Sequence, residues 1–295
     1  MMTGRQHHRT LFPLSRLLLL SGLVVGLPTA APAAADPPEV MTIVDQMKAV
    51  FEPGRPSLRK MVITVSSDEG HEKARWIAGV ARKEFPDGKR NLIVLLEPES
   101  VRANALLIFE RGGQEDVMWV YAPSVQRVRG IMPVDAYEHF LRTDFTYADL
   151  GFVSRRGNYR FLGEEEHAGV RAYKIEEVPA DRWYYSRILT WVSAETLLPL
   201  QRDYYDRAGR LWKTALFDQV AVIDGVPTPL RVRMLEVQQD TSTELQMSEV
   251  RYDVELPDEL FEPRRLREAI HSPLWQPYRA QVAQGKAAPE GEKKE

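Results

Sequence analysis

Four histidines lie beyond residue 35, at His71, His139, His167 and His271, and no two of them stand in an H-x-x-H or H-E-x-x-H spacing. Such spacings set two imidazoles on one helix face, where they can share a zinc ion. The chain has no cysteine, so thiolate ligands and thiol nucleophiles are ruled out as well. It contains neither a G-x-S-x-G elbow nor a glycine loop of the kind that cradles phosphate. The run "GEEEH" at 163–167 sets carboxylates beside an imidazole, but a short acidic hairpin is a solvated turn before it is a ligand cluster. The residues therefore predict no catalytic group, no metal and no cofactor, and the reading is that the protein is not an enzyme. What recurs instead is large apolar side chains on alternate positions, as in "LTWVSAETLLPLQRDYYDRAGRLWKT" at 189–214. Such faces must lie against the protein's own core or against a ligand for which the core leaves room.

The elements that carry those faces read mostly as strands. "PPEVMTIVDQMKAVFEPG" places Val40, Ile43, Val44, Met47 and Phe51 at helical spacing, with Pro53-Gly54 as the stop. After it the period changes to two. Six runs from "LRKMVITVSS" to "QRVRGI" and seven from "YRFLGEEE" to "TELQMSEVRYDV" are separated by turn signals such as "PDG", "EHAG" and "DRAG". Between the two sets, "MPVDAYEHFLRTDFTYADLG" breaks the pattern and reads as a short helical insertion, capped by Thr143 or Asp144 and ended by Gly151. "PRRLREAI" offers a last helix. Successive strands joined by hairpin turns describe an antiparallel meander. One mainly β (α+β) domain over 36–270 is predicted, with a polar, disordered tail over 271–295.

The N-terminus has the order of a secretory signal: Arg5, Arg9 and Arg16, an apolar run Leu17–Leu27, then small residues with Ala33 and Ala35 as an A-x-A site. Cleavage after about Ala35 and a periplasmic location follow. The alternative, a membrane anchor, would need ~20 apolar residues. Without the three arginines, 36 bases face 42 acids, a mature charge of about −6, which disfavours a nucleic-acid partner. An exported chain without disulfides takes its stability from burial.

A long antiparallel sheet with an apolar face needs a cover, and one good helix, one short insertion and one terminal helix are few for thirteen strands. Either the sheet closes on its own side chains as a filled barrel, or it curls around a few helices and keeps a groove.

Two stretches carry a resemblance. Trp191, the pair Leu198-Pro199 and the hairpin Asp206–Gly209 resemble a strand–turn–strand of the periplasmic lipoprotein carriers and their outer-membrane acceptors, the LolA/LolB-like superfamily. Trp119, Tyr121, Pro123, Arg127 and Arg129, followed by Asp144, Phe145, Tyr147, Asp149 and Leu150, resemble a W-x-Y-x-P-x-x-x-R-x-R pattern and a D-F-x-Y-x-D-L box of the outer-membrane lipoprotein-sorting proteins. The resemblance runs from the first helix to about Phe261. It implies an incomplete antiparallel β-barrel wrapped around covering helices that form a lid over an apolar cavity. It also implies a soluble carrier of lipid or lipoprotein acyl chains, working between an inner-membrane transporter and an outer-membrane acceptor, and expected to be a monomer.

On that reading Trp119, Tyr121, Trp183, Tyr185, Trp191 and Trp212 are the expected cavity wall, and Phe145, Tyr147 and Leu150 the lid. Arg127 and Arg129 share one strand face and could meet Asp144 or Asp149 across the mouth, or a lipid headgroup, but a solvated face is the favoured reading. Each aromatic could equally be plain core. The alternative function is an accessory or lipid-sensing regulatory protein that works with a membrane exporter or a signalling partner.

Overall fold

The computed structural model describes residues 39–279, apart from 112, 113, 115, 152–156 and 181–183. The expected signal segment and Trp183 lie outside the described residues. Helix α1 (Val40–Phe51) buries Ile43, Val44 and Met47 along one stripe, as its periodicity requires. The strands β1 (Ser57–Ser66), β2 (Glu72–Phe85), β3 (Gly88–Glu97), β4 (Ala105–Glu110), β5 (Val117–Ala122) and β6 (Arg127–Ile131) follow. A segment with one helical turn, α2 (Tyr147–Leu150), comes next. The second set is β7 (Asn158–His167), β8 (Val170–Val178), β9 (Arg187–Ser193), β10 (Pro199–Tyr205), β11 (Leu211–Ile223), β12 (Val226–Glu236) and β13 (Thr241–Tyr252), before α3 (Leu266–Ala269).

All thirteen strands join one sheet in the order β6-β5-β4-β3-β2-β1-β13-β12-β11-β10-β9-β8-β7. Two meanders are thus sewn together through the antiparallel pair β1–β13, with Met61 opposite Met247 and Ile63 opposite Leu245. The outermost strands, β6 and β7, are consecutive in sequence but do not pair, so the sheet stays open. Their connection has to run from one edge of the sheet to the other. That topological demand puts the insertion across the concave side.

One core cluster joins both ends of the sheet around α1 and the insertion: Met61, Ile93 and Ile108 from one meander, Ile188, Phe217 and Met234 from the other, with Val44 and Phe145 between them. The sheet therefore curls around its helices, as an incomplete barrel does. The opposite face of β1–β5 has its own cover. Leu58, Ala81, Leu92 and Leu107 pack there against Leu260, Phe261, Ile270, Trp275 and Tyr278. This explains why "LIVLL" at 92–96 is an unbroken apolar run: β3 is buried on both faces.

The C-terminal cover corrects the expected domain end. The chain was expected to become a polar tail at 271, yet Trp275 and Tyr278 are 0% and 1% exposed. Trp275 lies on Gly79 of β2 so closely that a Cβ there would stand 2.4 Å from its ring. Glycine is required at that position for the approach.

Candidate functional site

The insertion is held in place by a small polar network. Thr146 caps α2: its Oγ1 accepts from the Asp149 amide at 3.1 Å, and Asp149 Oδ2 accepts from the Thr146 amide at 2.8 Å. The expected caps were Thr143 and Asp144. Asp144 instead ties the insertion to β13, accepting from Thr241 Oγ1 at 2.6 Å and Thr243 Oγ1 at 2.5 Å. Gly151 does end α2, its amide donating to Ala148. Asp149 also accepts from the Tyr185 hydroxyl at 2.8 Å and stands 3.4 Å from Lys213 Nζ. Burial and the Asp149 charge push the Tyr185 phenol well above its usual range.

Two cavities adjoin this network and share Asp149 and Tyr204 in their walls. The first, about 930 Å³ with its mouth, has Met118, Tyr137, Tyr185 and Ile188 on its wall together with Asp116, Glu177 and Arg202. Burial, then the Glu110 charge, raises the Asp116 carboxyl to about 7. Glu177 and Arg202 form an ion pair at 3.2 Å, each side chain 5% exposed. The second, about 650 Å³ with its mouth, is the greasier: Met61, Val80, Ile93, Phe145, Leu150, Phe217, Val232, Met234 and Leu245 line it. Arg59, Arg82 and Asn91 close one side.

The expected wall divides. Tyr185 and Trp212 lie on the concave side; Tyr185 packs in the central cluster, and Trp212 packs against it with its ring 4.9 Å from Tyr184. Trp119 and Tyr121 are corrected to the other face, where they pack with the C-terminal cover. Alternation explains it, because β5 turns Met118 and Val120 inward. Trp191 is also corrected to the outer face. It clusters with Ala172 and Leu189, stacks on His167 at 4.8 Å and donates to Glu165 at 2.5 Å. The expected strand from Arg182 begins only at Arg187, and its inward residues are Ile188 and Val192.

The three lid candidates are brought together over the cavity. Phe145 is buried, Tyr147 and Leu150 pack against the central cluster, and the Tyr147 and Phe140 rings meet edge to face at 5.7 Å. The mouth pairing is corrected. Arg127 and Arg129 are exposed, whereas the partners of Asp144 and Asp149 are the threonines, Tyr185 and Lys213. Arg129 acts on this region through its charge near the Tyr147 phenol.

Sequence reasoning missed Lys213, Arg59, Arg82 and Asn91. Lys213 looked like a residue of the wet face. Lys213 shares the alternate row of Ala215 and Phe217 and faces inward with them, while a register shift beside Tyr204 and Tyr205 leaves Trp212 without a partner on β10. For the other three a signal existed: each adjoins an apolar stretch of its alternate row, Arg59 before Met61 and Ile63, Arg82 after Ala78 and Val80, Asn91 before Ile93 and Leu95.

No group of three or more His, Asp or Glu able to hold a metal occurs among the described residues. No described helix is long and apolar enough to cross a membrane.

A family model described as "Uncharacterized protein" matches residues 87–268. No curated protein matches the chain. Among solved structures, a DUF1329 family protein from Desulfovibrio piger is 30% identical with a TM-score of 0.71, the match covering 77% of this chain and 98% of that one. An outer membrane lipoprotein-sorting protein domain from Vibrio parahaemolyticus is 25% identical with a TM-score of 0.71, over 77% and 97%. A LolA superfamily protein from Nitrosomonas europaea, 21% identical over 77% and 98% with a TM-score of 0.62, shares the fold. An open thirteen-stranded sheet curled around α1 and a capped insertion is thus matched over nearly the full length of its relatives, and the chain belongs to the DUF1329 family.

Proposed function

We propose that the protein is an exported lipid-binding carrier that shields acyl chains of a lipid or lipoprotein on the concave side of its sheet. The observation that carries this reading is the second cavity: a space of about 650 Å³, its open mouth included, walled mainly by aliphatic, methionine and phenylalanine side chains. An acyl chain needs area rather than directional bonds, and such a wall supplies it. Each methylene moved out of water contributes ~0.8 kcal/mol, so a sixteen-carbon chain gains on the order of 12 kcal/mol from a dry wall. Without a carrier, that same quantity opposes passage through water. The relative described as a lipoprotein-sorting domain supports the same class of cargo.

The insertion is the lid of this carrier. Leu150 and Phe145 form part of the cavity wall, so swinging the segment outward would expose the cavity and close it again afterwards. Donor and acceptor would be membrane components on either side of the periplasm, with the protein shuttling as a monomer.

The test is lipid extraction and mass spectrometry of protein purified from its native envelope fraction, with binding of the uncharged fluorophore N-phenyl-1-naphthylamine measured on delipidated protein. A co-purifying acyl lipid and saturable probe binding are expected. Leu150→Asp should weaken probe binding while the sheet's circular dichroism is unchanged. An apo mass together with no probe binding would overturn the reading.

A further inference from the structure

Three neighbouring strands each place a polar residue at the same end of an apolar stretch of the concave row. On β1 Arg59 precedes Met61 and Ile63, on β2 Arg82 follows Ala78 and Val80, and on β3 Asn91 precedes Ile93 and Leu95. The ladder sets Arg82 directly opposite Asn91, and Arg59 opposite Val80. Together they make a polar end on the second cavity, whose other walls are hydrocarbon apart from Asp149 and Tyr204. Arg59 and Asn91 are only 8% and 4% exposed. Arg59 does donate to Ser57 Oγ at 2.9 Å through a terminal nitrogen. Yet Arg59 Nε, Arg82 Nε and Asn91 Oδ1 have no hydrogen-bond partner among the described residues. Buried polar groups are almost always paired. Three unpaired ones on adjacent strands beside a cavity mark where a polar part of a ligand is received.

Charge decides which kind. The ionisable groups on the cavity wall are Arg59, Arg82, Asp149 and Tyr204; burial raises the Tyr204 phenol and so keeps it neutral, and Asp149 is already engaged by Lys213 and Tyr185. Behind the arginines, Glu110 pairs with Lys48 at 3.3 Å, and Glu52 keeps its proton up to about pH 7 because it is buried and faces Glu110. Two guanidinium groups therefore remain without a full counter-charge. Burial, then the Arg82 charge, lowers the Arg59 guanidinium to about 10.

We propose that the second cavity takes a single-chain anionic amphiphile head-first, its carboxylate or phosphate on Arg59, Arg82 and the Asn91 amide and its tail along Met61, Ile93 and Phe217. This rests on the lipid-binding reading and narrows it to a class of ligand. Charge-assisted hydrogen bonds inside a water-poor cavity give the head its selectivity.

The test displaces N-phenyl-1-naphthylamine from delipidated protein with hexadecanoic acid, hexadecyl phosphate, methyl hexadecanoate and hexadecyltrimethylammonium. At least one of the two anions should compete at about tenfold lower concentration than the ester, with the cation weakest. A preference confined to one anion supports the proposal and names the head. Arg82→Met should bring anion and ester to equal competition, each read against the variant's own probe affinity. Asn91→Asp, which keeps the side-chain shape and adds a repelling charge, gives the same readout should the first variant fail to fold. Equal competition by anions and ester in the wild type would overturn head-first binding and leave the carrier reading intact. Absence of any probe binding would overturn both.

Discussion

Asp149 and Lys213 stand 3.4 Å apart with 2% and 0% of their side chains exposed, so the insertion is fastened to the sheet by an ion pair withdrawn from water. The aspartate is also the capping residue of α2 and the acceptor of the Tyr185 hydroxyl. Removing one partner would leave the other as an uncompensated buried charge. Lys213→Met is expected to lose about 3–5 kcal/mol of stability. It should also speed amide hydrogen exchange over residues 145–150. Asp149→Leu combined with Lys213→Met should recover part of the loss in urea unfolding. A single-variant loss under about 1 kcal/mol would mean that the pair does not fasten the insertion.

Val232 lines the second cavity and is 9% exposed. Val232→Trp gives an indole a void to enter, so the stability cost should stay within about 1–3 kcal/mol. The same ring would occupy the space proposed for an acyl chain. Fluorescent-probe affinity should fall at least about tenfold, checked by titration beside a denaturation curve. Undiminished binding would place the ligand elsewhere.

Glu52 is 3% exposed, and burial followed by repulsion from Glu110 moves its carboxyl from 4.5 to about 7. In the unfolded chain the proton leaves near 4.5, whereas the folded protein keeps it to about 7. Between those values the folded state binds more protons. The group's favourable contribution is therefore whole below 4.5, declines as pH rises, and is lost above about 7. Asp116, raised from 3.8 to about 7, acts in the same direction. Glu52→Gln has no such proton to lose. Its stability relative to wild type should rise by on the order of 3 kcal/mol between pH 4 and pH 8. Denaturant midpoints across that range check it, and a flat difference would refute it.

Trp275 is fully buried, donates from its indole to the Ala269 carbonyl at 2.8 Å, and lies flat on Gly79. Trp275→Ala should cost about 3–5 kcal/mol in chemical denaturation. Gly79→Ala should destabilise too, since its Cβ would stand 2.4 Å from the Trp275 ring. If neither variant shifts the midpoint, the C-terminal cover is not part of the folding unit.

Helix α1, the thirteen strands and the hairpin at 206–209 were legible in the residues because each depends on neighbours in sequence. Period-two alternation marks a strand wherever one face is wet. At the hairpin, Asp206 Oδ1 accepts from the Ala208 and Arg210 amides and Gly209 takes φ 76°, local chemistry that "DRAG" spells out. Which face of a strand turns inward was another matter. Trp119, Tyr121 and Trp191 were placed on the cavity because aromatic size says that a side chain is buried but not against what. In this protein both faces of β3 and β4 are covered, one by α1 and the insertion, the other by residues 256–278. Only the curl of the whole sheet separates those two environments. Likewise Arg59, Arg82 and Asn91 are three scattered polar residues along the chain, and they become one polar end only when strand register sets them side by side. Local periodicity wrote the elements. Long-range pairing decided the inside, because the β1–β13 junction and the open β6 and β7 edges are contacts between residues far apart in the chain.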